Sequence, residues 1–285
     1  MEKTYKDQLN SFLDNALRED VGSGDHSSLA SIPQFATGKA SLYVKDHGII
    51  AGIDVARFLF RKLDPEIQFD ALIADGTQVM PGDIAFSISG KILVILKGER
   101  LALNIMQRMS GIATQTRKFA DKLEGLKTKV VDTRKTTPGM RFLEKQAVLL
   151  GGGENHRMGL YDMIMIKDNH IDYAGGIKNV IERTKTYLQK QELNLKIEVE
   201  ARKLDDVIEI LQVGGIDRIM FDNFSLEDTK KAVDLIGGKV ETESSGGITL
   251  ETIRDYAECG VDYISVGGLT HQIRSLDLSL KAILE

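Results

Sequence analysis

Three observations predict an α/β fold whose second half is a parallel barrel. Six short apolar runs each end in a polar signature: VVDTRK (130–135), MIMIKDN (163–169), KIEVEA (196–201), RIMFDN (218–223), VETESSGG (240–247) and YISVGG (263–268). From Val130 to Met163 is 33 residues and from Arg218 to Val240 is 22, enough for a strand plus a helix and too wide for a hairpin. Helix starts stand between the runs: Ser225 heads SLEDTKKAVDLI and Thr249 heads TLETIRDYAEC, each with acids in the first turn.

The elements before the barrel have a different texture. MEKTYKDQLNSFLDNALRED spreads charge through its apolar positions, which predicts an amphipathic helix and not a signal peptide. The first hundred residues hold Pro33, Pro65 and Pro81 and the alternating runs KASLYVK, GTQVM and IAFSISGKILVIL, separated by glycine turns. Period-2 spacing bounded by turns predicts a small α+β domain with an antiparallel sheet. A long helix is expected from about Glu99 to Leu126, buried along 101, 103, 105, 106 and 109, with Gly111 as a kink site. The expected division is an α+β domain over 1–115 and a barrel over 116–270.

Composition narrows the function classes. Apolar residues make up 42% and charged residues 28%, the balance of an ordinary soluble globular protein. A net charge of -5 opposes a nucleic-acid partner, which calls for a basic face. The single cysteine, Cys259, reads as a small buried hydrophobe; it excludes a disulfide framework and suits a reducing compartment. No stretch of 18 apolar residues exists, so no membrane partner is expected. The expected location is the cytoplasm.

In a parallel barrel every strand end lies on one face. That face would collect Arg134, Lys135, His156, Arg157 and Lys167 as cations, Glu200 and Asp222 as acids, and Ser244, Ser245 and two glycine pairs. Arginine binds carboxylate or phosphate with a planar fork, whereas lysine acts as a point charge. Residues 131–170 hold six Lys/Arg against five Asp/Glu, so position at strand ends carries the argument, not charge excess. SSGGI (244–248) and VGGLT (266–270) each set a glycine pair between strand and helix, where backbone N–H groups can approach an oxyanion. The plainer alternative for each is an ordinary tight turn. Glu200 and Asp222 suit ribose hydroxyls or Mg²⁺, although Glu198 shares a strand face with Glu200 and one of the two can simply fill a polar layer. For Asp222 the alternative is a helix cap, a role Ser225 fills better; Arg141 belongs to the next helix. Gly151, Gly152 and Gly153 permit a tight loop under a ligand.

DTRKTTPGMR, GGGENHRMGLYDMIMIKDNH, IEVEA, FDN, ESSGGI and GVDYISVGGLTH resemble the nicotinate-nucleotide diphosphorylase, or quinolinate phosphoribosyltransferase, family. REDVGSGDHSS, ADGTQVMPGD and GERLALNIMQRMSGIATQT extend the resemblance over nearly the whole chain. One departure is GDHSS, where many members carry a threonine-rich version such as GDITT. The resemblance implies an N-terminal open-faced sandwich, to which a last helix at about 271–285 returns, and an incomplete barrel. It implies transfer of phosphoribosyl from phosphoribosyl diphosphate (PRPP) to the ring nitrogen of quinolinate with decarboxylation, in NAD biosynthesis. Thr133, Arg134, Lys135, His156, Arg157 and Lys167 would hold the carboxylates and diphosphate. Glu200 and Asp222 would bind ribose and Mg²⁺; Ser245, Gly246, Gly247, Gly267 and Gly268 would take the 5-phosphate. A homodimer is implied, with Arg100 of the GER motif reaching the neighbouring site.

Two rival readings use the same residues. One is a Schiff-base aldolase with Lys167 as nucleophile, which suits a lysine among apolar neighbours, whereas one set among anion-binding cations is expected to stay protonated. The other is a molybdate-uptake-associated relative with the same domains, against which the full set of strand-end cations argues.

Overall fold

The computed structural model describes residues 3–283. In chain order its elements are α1 (Lys3–Val21), α2 (His26–Ser31), β1 (Thr37–Val44), β2 (Gly48–Ile49), α3 (Ile53–Leu63), β3 (Gln68–Ala71), β4 (Gln78–Val79), β5 (Ile84–Lys91) and α4 (Ile92–Lys122). They continue with β6 (Lys129–Val131), α5 (Arg141–Leu150), β7 (Ile164–Ile166), α6 (Asp168–Ala174), α7 (Ile177–Gln191), β8 (Ile197–Ala201) and α8 (Leu204–Val213). The last are β9 (Arg218–Asp222), α9 (Leu226–Ile236), β10 (Glu241–Ser245), α10 (Ile253–Glu258), β11 (Tyr263–Ser265), α11 (Gly268–His271) and β12 (Leu278–Ile283). Two compact units result. One comprises 1–117, 136–152 and 270–285; the other comprises 118–135 and 153–269. Residues 136–152, assigned by sequence to the barrel, therefore cluster with the first unit.

The first unit contains an antiparallel sheet in the order β12-β1-β5-β3. Alternation along β1 and β5 turns Leu42, Val44, Phe86 and Ile88 inward. The buried stripe of α3 (Ile53, Val55, Ala56, Leu59 and Phe60) follows helical spacing. Phe69 and Phe86 stack with ring centroids 4.4 Å apart, and Phe60 meets Phe86 edge-on at 6.4 Å. Gly98 of α4 has to be small, because a Cβ there would come within 2.5 Å of the Phe60 ring.

Two expectations need correction in this unit. ILVIL, expected to end a strand, instead opens α4, since β5 stops at Lys91; a continuous apolar run satisfies a buried helix as well as a strand. Gly111 also serves packing. α4 runs through it, and its missing Cβ lets the Arg274 carbonyl approach, which a side chain would meet at 2.5 Å. The helix expected at 271–285 is a strand over its described part: β12 pairs antiparallel with β1 from Val44↔Leu278 to Lys39↔Ile283. Leu276, Leu278, Leu280 and Ala282 repeat every second residue, the period of a strand. Residues 284 and 285 lie outside the described residues.

The second unit is a six-stranded sheet, β6-β11-β10-β9-β8-β7, with every pairing parallel. β6 and β7 are its two ends, and Glu154 extends the β6 end by a bridge to Val131. All six apolar runs form strands as expected, and β8 is buried along its whole length. Ser225 caps α9 by accepting the Asp228 N–H at 3.1 Å, and Gly237 in the left-handed region ends it. Cys259 is buried and free.

Candidate active site

Period 2 puts Glu198 with Glu200, Arg218 with Asp222, and Glu243 with Ser245 on common strand faces. The register then ranks them. Glu200 pairs with Met220, while Asp222 pairs with Ser245 at the strand ends. Glu200 is buried, and its Oε2 lies 3.6 Å from Nζ of the half-exposed Lys167. Burial raises the Glu200 pKa, Lys167 opposes that rise, and the charges of Asp222 and Asp168 add to it. Glu200, Lys167 and Asp222 thus form one electrostatic group at the mouth.

Arg157 and Arg134 form a second. Burial first, and then the charge of Arg134, hold the Arg157 guanidinium below its ordinary value. Its Nη1 donates to the Met163 carbonyl at 3.2 Å. The loop carrying it is closed by Asp162, which accepts the N–H groups of Met158 and Gly159 at 2.7 and 2.8 Å. Arg134 and Lys135 are exposed, and the Lys135 N–H donates to Thr133 Oγ1 at 3.0 Å. Two neighbouring guanidinium groups repel unless an anion lies between them.

The glycine loops sit at the ends of β10 and β11. Gly246 and Gly247 have φ of +98° and +62°, and Asn223, at the end of β9, has +56°. The Asn223 N–H donates to Ser245 O at 2.9 Å. The regular part of α10 starts at Ile253, but the turn that leads into it opens at Thr249, whose carbonyl accepts the Ile253 N–H at 2.9 Å and whose Oγ1 accepts the Glu251 N–H at 3.3 Å. Thr252 answers it, the Thr249 N–H donating to Thr252 Oγ1 at 3.0 Å. Behind Gly267 and Gly268 only the four-residue α11 follows. Any oxyanion here would therefore meet loop N–H groups, not the end of a long helix. Gly151, expected under a ligand, is a packing glycine of the first unit, since a Cβ would fall 2.4 Å from the Ala113 carbonyl.

His156 departs most from expectation. Its ring is buried, with Nε2 at 3.0 Å from Glu198 Oε2 and 3.3 Å from Glu243 Oε2, while Nδ1 accepts the Arg157 N–H at 2.7 Å. Both ring nitrogens face protein atoms. Burial disfavours a charged ring, but the two carboxylates outweigh it and pull the His156 pKa up to about 9. A second proton on Nδ1 would face the Arg157 N–H, so that pull conflicts with the hydrogen bond. Burial and Glu243 also raise Glu198, so one proton is shared between Glu198 and the ring. The Nδ1 bond puts it on Glu198 and leaves His156 as the neutral Nε2–H tautomer.

Sequence reasoning missed three members of this group. Glu243 Oε2 meets Arg218 Nη1 at 2.8 Å, and Asp132 accepts the His156 N–H at 2.9 Å. The available signal was charge inside strand runs: Arg218 opens RIMFD, and Glu243 lies two residues before Ser245. Arg100 belongs to the first unit, where it is exposed on α4.

A parallel barrel with paired arginines, a lysine–carboxylate pair and glycine loops at its strand ends defines an α/β-barrel protein for small, multiply anionic ligands. Residues 25–110 and 112–281 match the N-terminal and C-terminal domains of quinolinate phosphoribosyl transferase. The chain belongs to the quinolinate phosphoribosyl transferase family. It is 43% identical to quinolinate phosphoribosyltransferase [decarboxylating] 1 of Nicotiana glauca, over 96% of this chain and 82% of that one. It is 42% identical to a probable nicotinate-nucleotide pyrophosphorylase [carboxylating] of Bacillus subtilis (strain 168), over 97% and 94%. The crystal structure of NadC from Streptococcus pyogenes superimposes with a TM-score of 0.91 at 40% identity, covering 97% of both chains.

Proposed function

We infer that the chain transfers the 5-phosphoribosyl group of PRPP to the ring nitrogen of quinolinate, with loss of the 2-carboxylate. The products are nicotinate mononucleotide, diphosphate and CO₂, a step of NAD biosynthesis. The observation that carries this reading is the match of residues 25–110 and 112–281 to this family, in a chain where the charge of Arg134 acts on Arg157. A ring with two carboxylates supplies the anions that two such groups require.

The chemistry is positioning plus electrostatic stabilisation. As the C1–O bond to diphosphate breaks, positive charge grows on the ribose ring, and the pyridine nitrogen forms the new bond to C1. Glu200 and Asp222 stand where carboxylates can hold the ribose hydroxyls and stabilise that charge. The positive charge on the alkylated nitrogen then stabilises the electron pair left on C2 as CO₂ departs, and C2 takes a proton from water. Arg134 and Arg157 hold the two ring carboxylates, of which the 3-carboxylate stays clamped throughout, with Thr133, Lys135 and Lys167 completing the grip on substrate carboxylates and diphosphate. Ser245, Gly246, Gly247, Gly267 and Gly268 receive the 5-phosphate. His156 enters through Arg157.

The charge of Asp222 acts on Glu200, and paired hard oxygen donors fit Mg²⁺. The ion, when bound, neutralises charge on the diphosphate. A homodimer in which Arg100 completes the partner's site is part of the reading. Among the described residues no helix is long and apolar enough to cross a membrane, and a lone cysteine suits a reducing compartment such as the cytoplasm; plant relatives are named chloroplastic or mitochondrial. An aldolase is disfavoured because the Lys167 amine is engaged by Glu200, whose Oε2 lies 3.6 Å from it. The direct test incubates the protein with Mg²⁺, PRPP and quinolinate and measures CO₂ and diphosphate. Equal amounts of both support the reading, and absence of either overturns it.

A further inference from the structure

We propose that Glu243 and Arg218, neither of which reaches the barrel mouth, are positioning residues that set the affinity for quinolinate by fixing Arg157 through the ring of His156. The proposal rests on the reading of Arg157 as a substrate-binding cation.

The starting point is an oddity of composition. The interior of a parallel barrel is ordinarily filled with branched aliphatic side chains. Here Glu198, Glu243 and His156 are buried at its centre, with Arg218 beside them. Buried ions stabilise a fold less than aliphatic packing does, so such a cluster points to a specificity role. The cluster is also tightly held. Arg218 gives Nη1 to Glu243 at 2.8 Å and Nη2 to Glu241 at 3.1 Å, and its guanidinium lies 3.9 Å from the centre of the Tyr263 ring.

Glu243 is therefore kept from turning away, and the oxygen that meets Arg218 also faces His156 Nε2 at 3.3 Å. A carboxylate beside Nε2 selects the tautomer with hydrogen on that nitrogen. Nδ1 is left bare and accepts the Arg157 N–H at 2.7 Å. On the other side Asp132 accepts the His156 N–H at 2.9 Å. Two successive backbone N–H groups are thus fixed, and with them the peptide plane that leads into Arg157. With hydrogen moved to Nδ1, that plane would have to rotate and carry the guanidinium away from Arg134. No member of the relay needs to touch the substrate.

The test uses Glu243→Gln and Arg218→Met, with Glu243→Gln/Arg218→Met as a charge-balanced variant should either single change fail to fold. Steady-state kinetics give KM for quinolinate and for PRPP separately, and ¹⁵N spectra of the histidine rings report the His156 tautomer. The expected result is a rise in quinolinate KM on the order of tenfold, with PRPP KM within about twofold, and a His156 ring that no longer shows a single Nε2–H form. An unchanged ring spectrum overturns the proposal, as does an equal rise in both KM values with a lower melting temperature. Arg157→Ala is the separate control. If it leaves quinolinate KM unchanged in an active enzyme, the assignment of Arg157 fails, and the ring spectrum of Glu243→Gln still decides the link from Glu243 to His156.

Discussion

Gly246 lies directly against Asn223: a Cβ on Gly246 would come within 2.3 Å of Asn223 Oδ1. The backbone of the β10 loop thereby follows the end of β9 with no side chain between them, and its φ of +98° disfavours any other residue. Gly246→Ala is expected to cost about 1–3 kcal/mol in strain. Its signature in kinetics is a raised KM for PRPP with quinolinate KM little changed. An unaltered PRPP KM would remove this loop from phosphate binding.

The arginine pair predicts selectivity. Arg134→Ala and Arg157→Ala each remove a charged hydrogen-bond donor worth about 1.5–3 kcal/mol, so quinolinate KM is expected to rise at least tenfold. Nicotinate, which lacks the 2-carboxylate, is expected to be a poor substrate of the unaltered enzyme. Comparable turnover of the two acids would count against the assignment.

The acid limb of the pH profile is expected to follow Glu200. Burial and Asp222 raise its pKa, and Lys167 opposes them. Glu200 therefore loses its charge at a higher pH than an ordinary glutamate as the solution is acidified. Asp222→Asn removes a repelling charge and is expected to move the Glu200 titration to lower pH. Lys167→Met removes an attracting one and is expected to move it higher. Carboxyl ¹³C spectra follow Glu200 in both variants even where turnover is weak, and shifts of the opposite sign would dissociate the three residues.

Mixed dimers test the shared site. Arg100→Ala and Lys135→Ala homodimers are each expected to be nearly inactive. After joint unfolding and refolding of equal amounts, half the dimers are mixed and one of their two sites is whole, giving roughly a quarter of full activity. Activity that stays at the level of the parents, with mixed dimers present, would confine Arg100 to its own subunit or remove it from the site.

The barrel was legible because parallel strands buried on both faces read as apolar runs, and because helix starts such as Ser225 punctuate them. IEVEA and RIMFD lie where their patterns predict. What stayed hidden depends on partners distant in sequence. Nothing near Glu243 announces that Arg218 and His156 will meet it, and His156 looks like one more cation until its ring is found inside. ILVIL was ambiguous on its own terms, and SLDLSLKAI carried an alternation outweighed by the family expectation of a helix.

The place of β12 has a consequence for biosynthesis. Its partner β1 is made early, but residues 278–283 follow the entire barrel in the chain. While the barrel strands emerge from the ribosome, β1 therefore waits with one hydrogen-bonding edge unfilled. The first unit to be synthesised is the last to be finished. Nascent chains stalled before residue 278 would carry an open sheet edge on which chaperones could act, a hazard that ends only with release of the final strand.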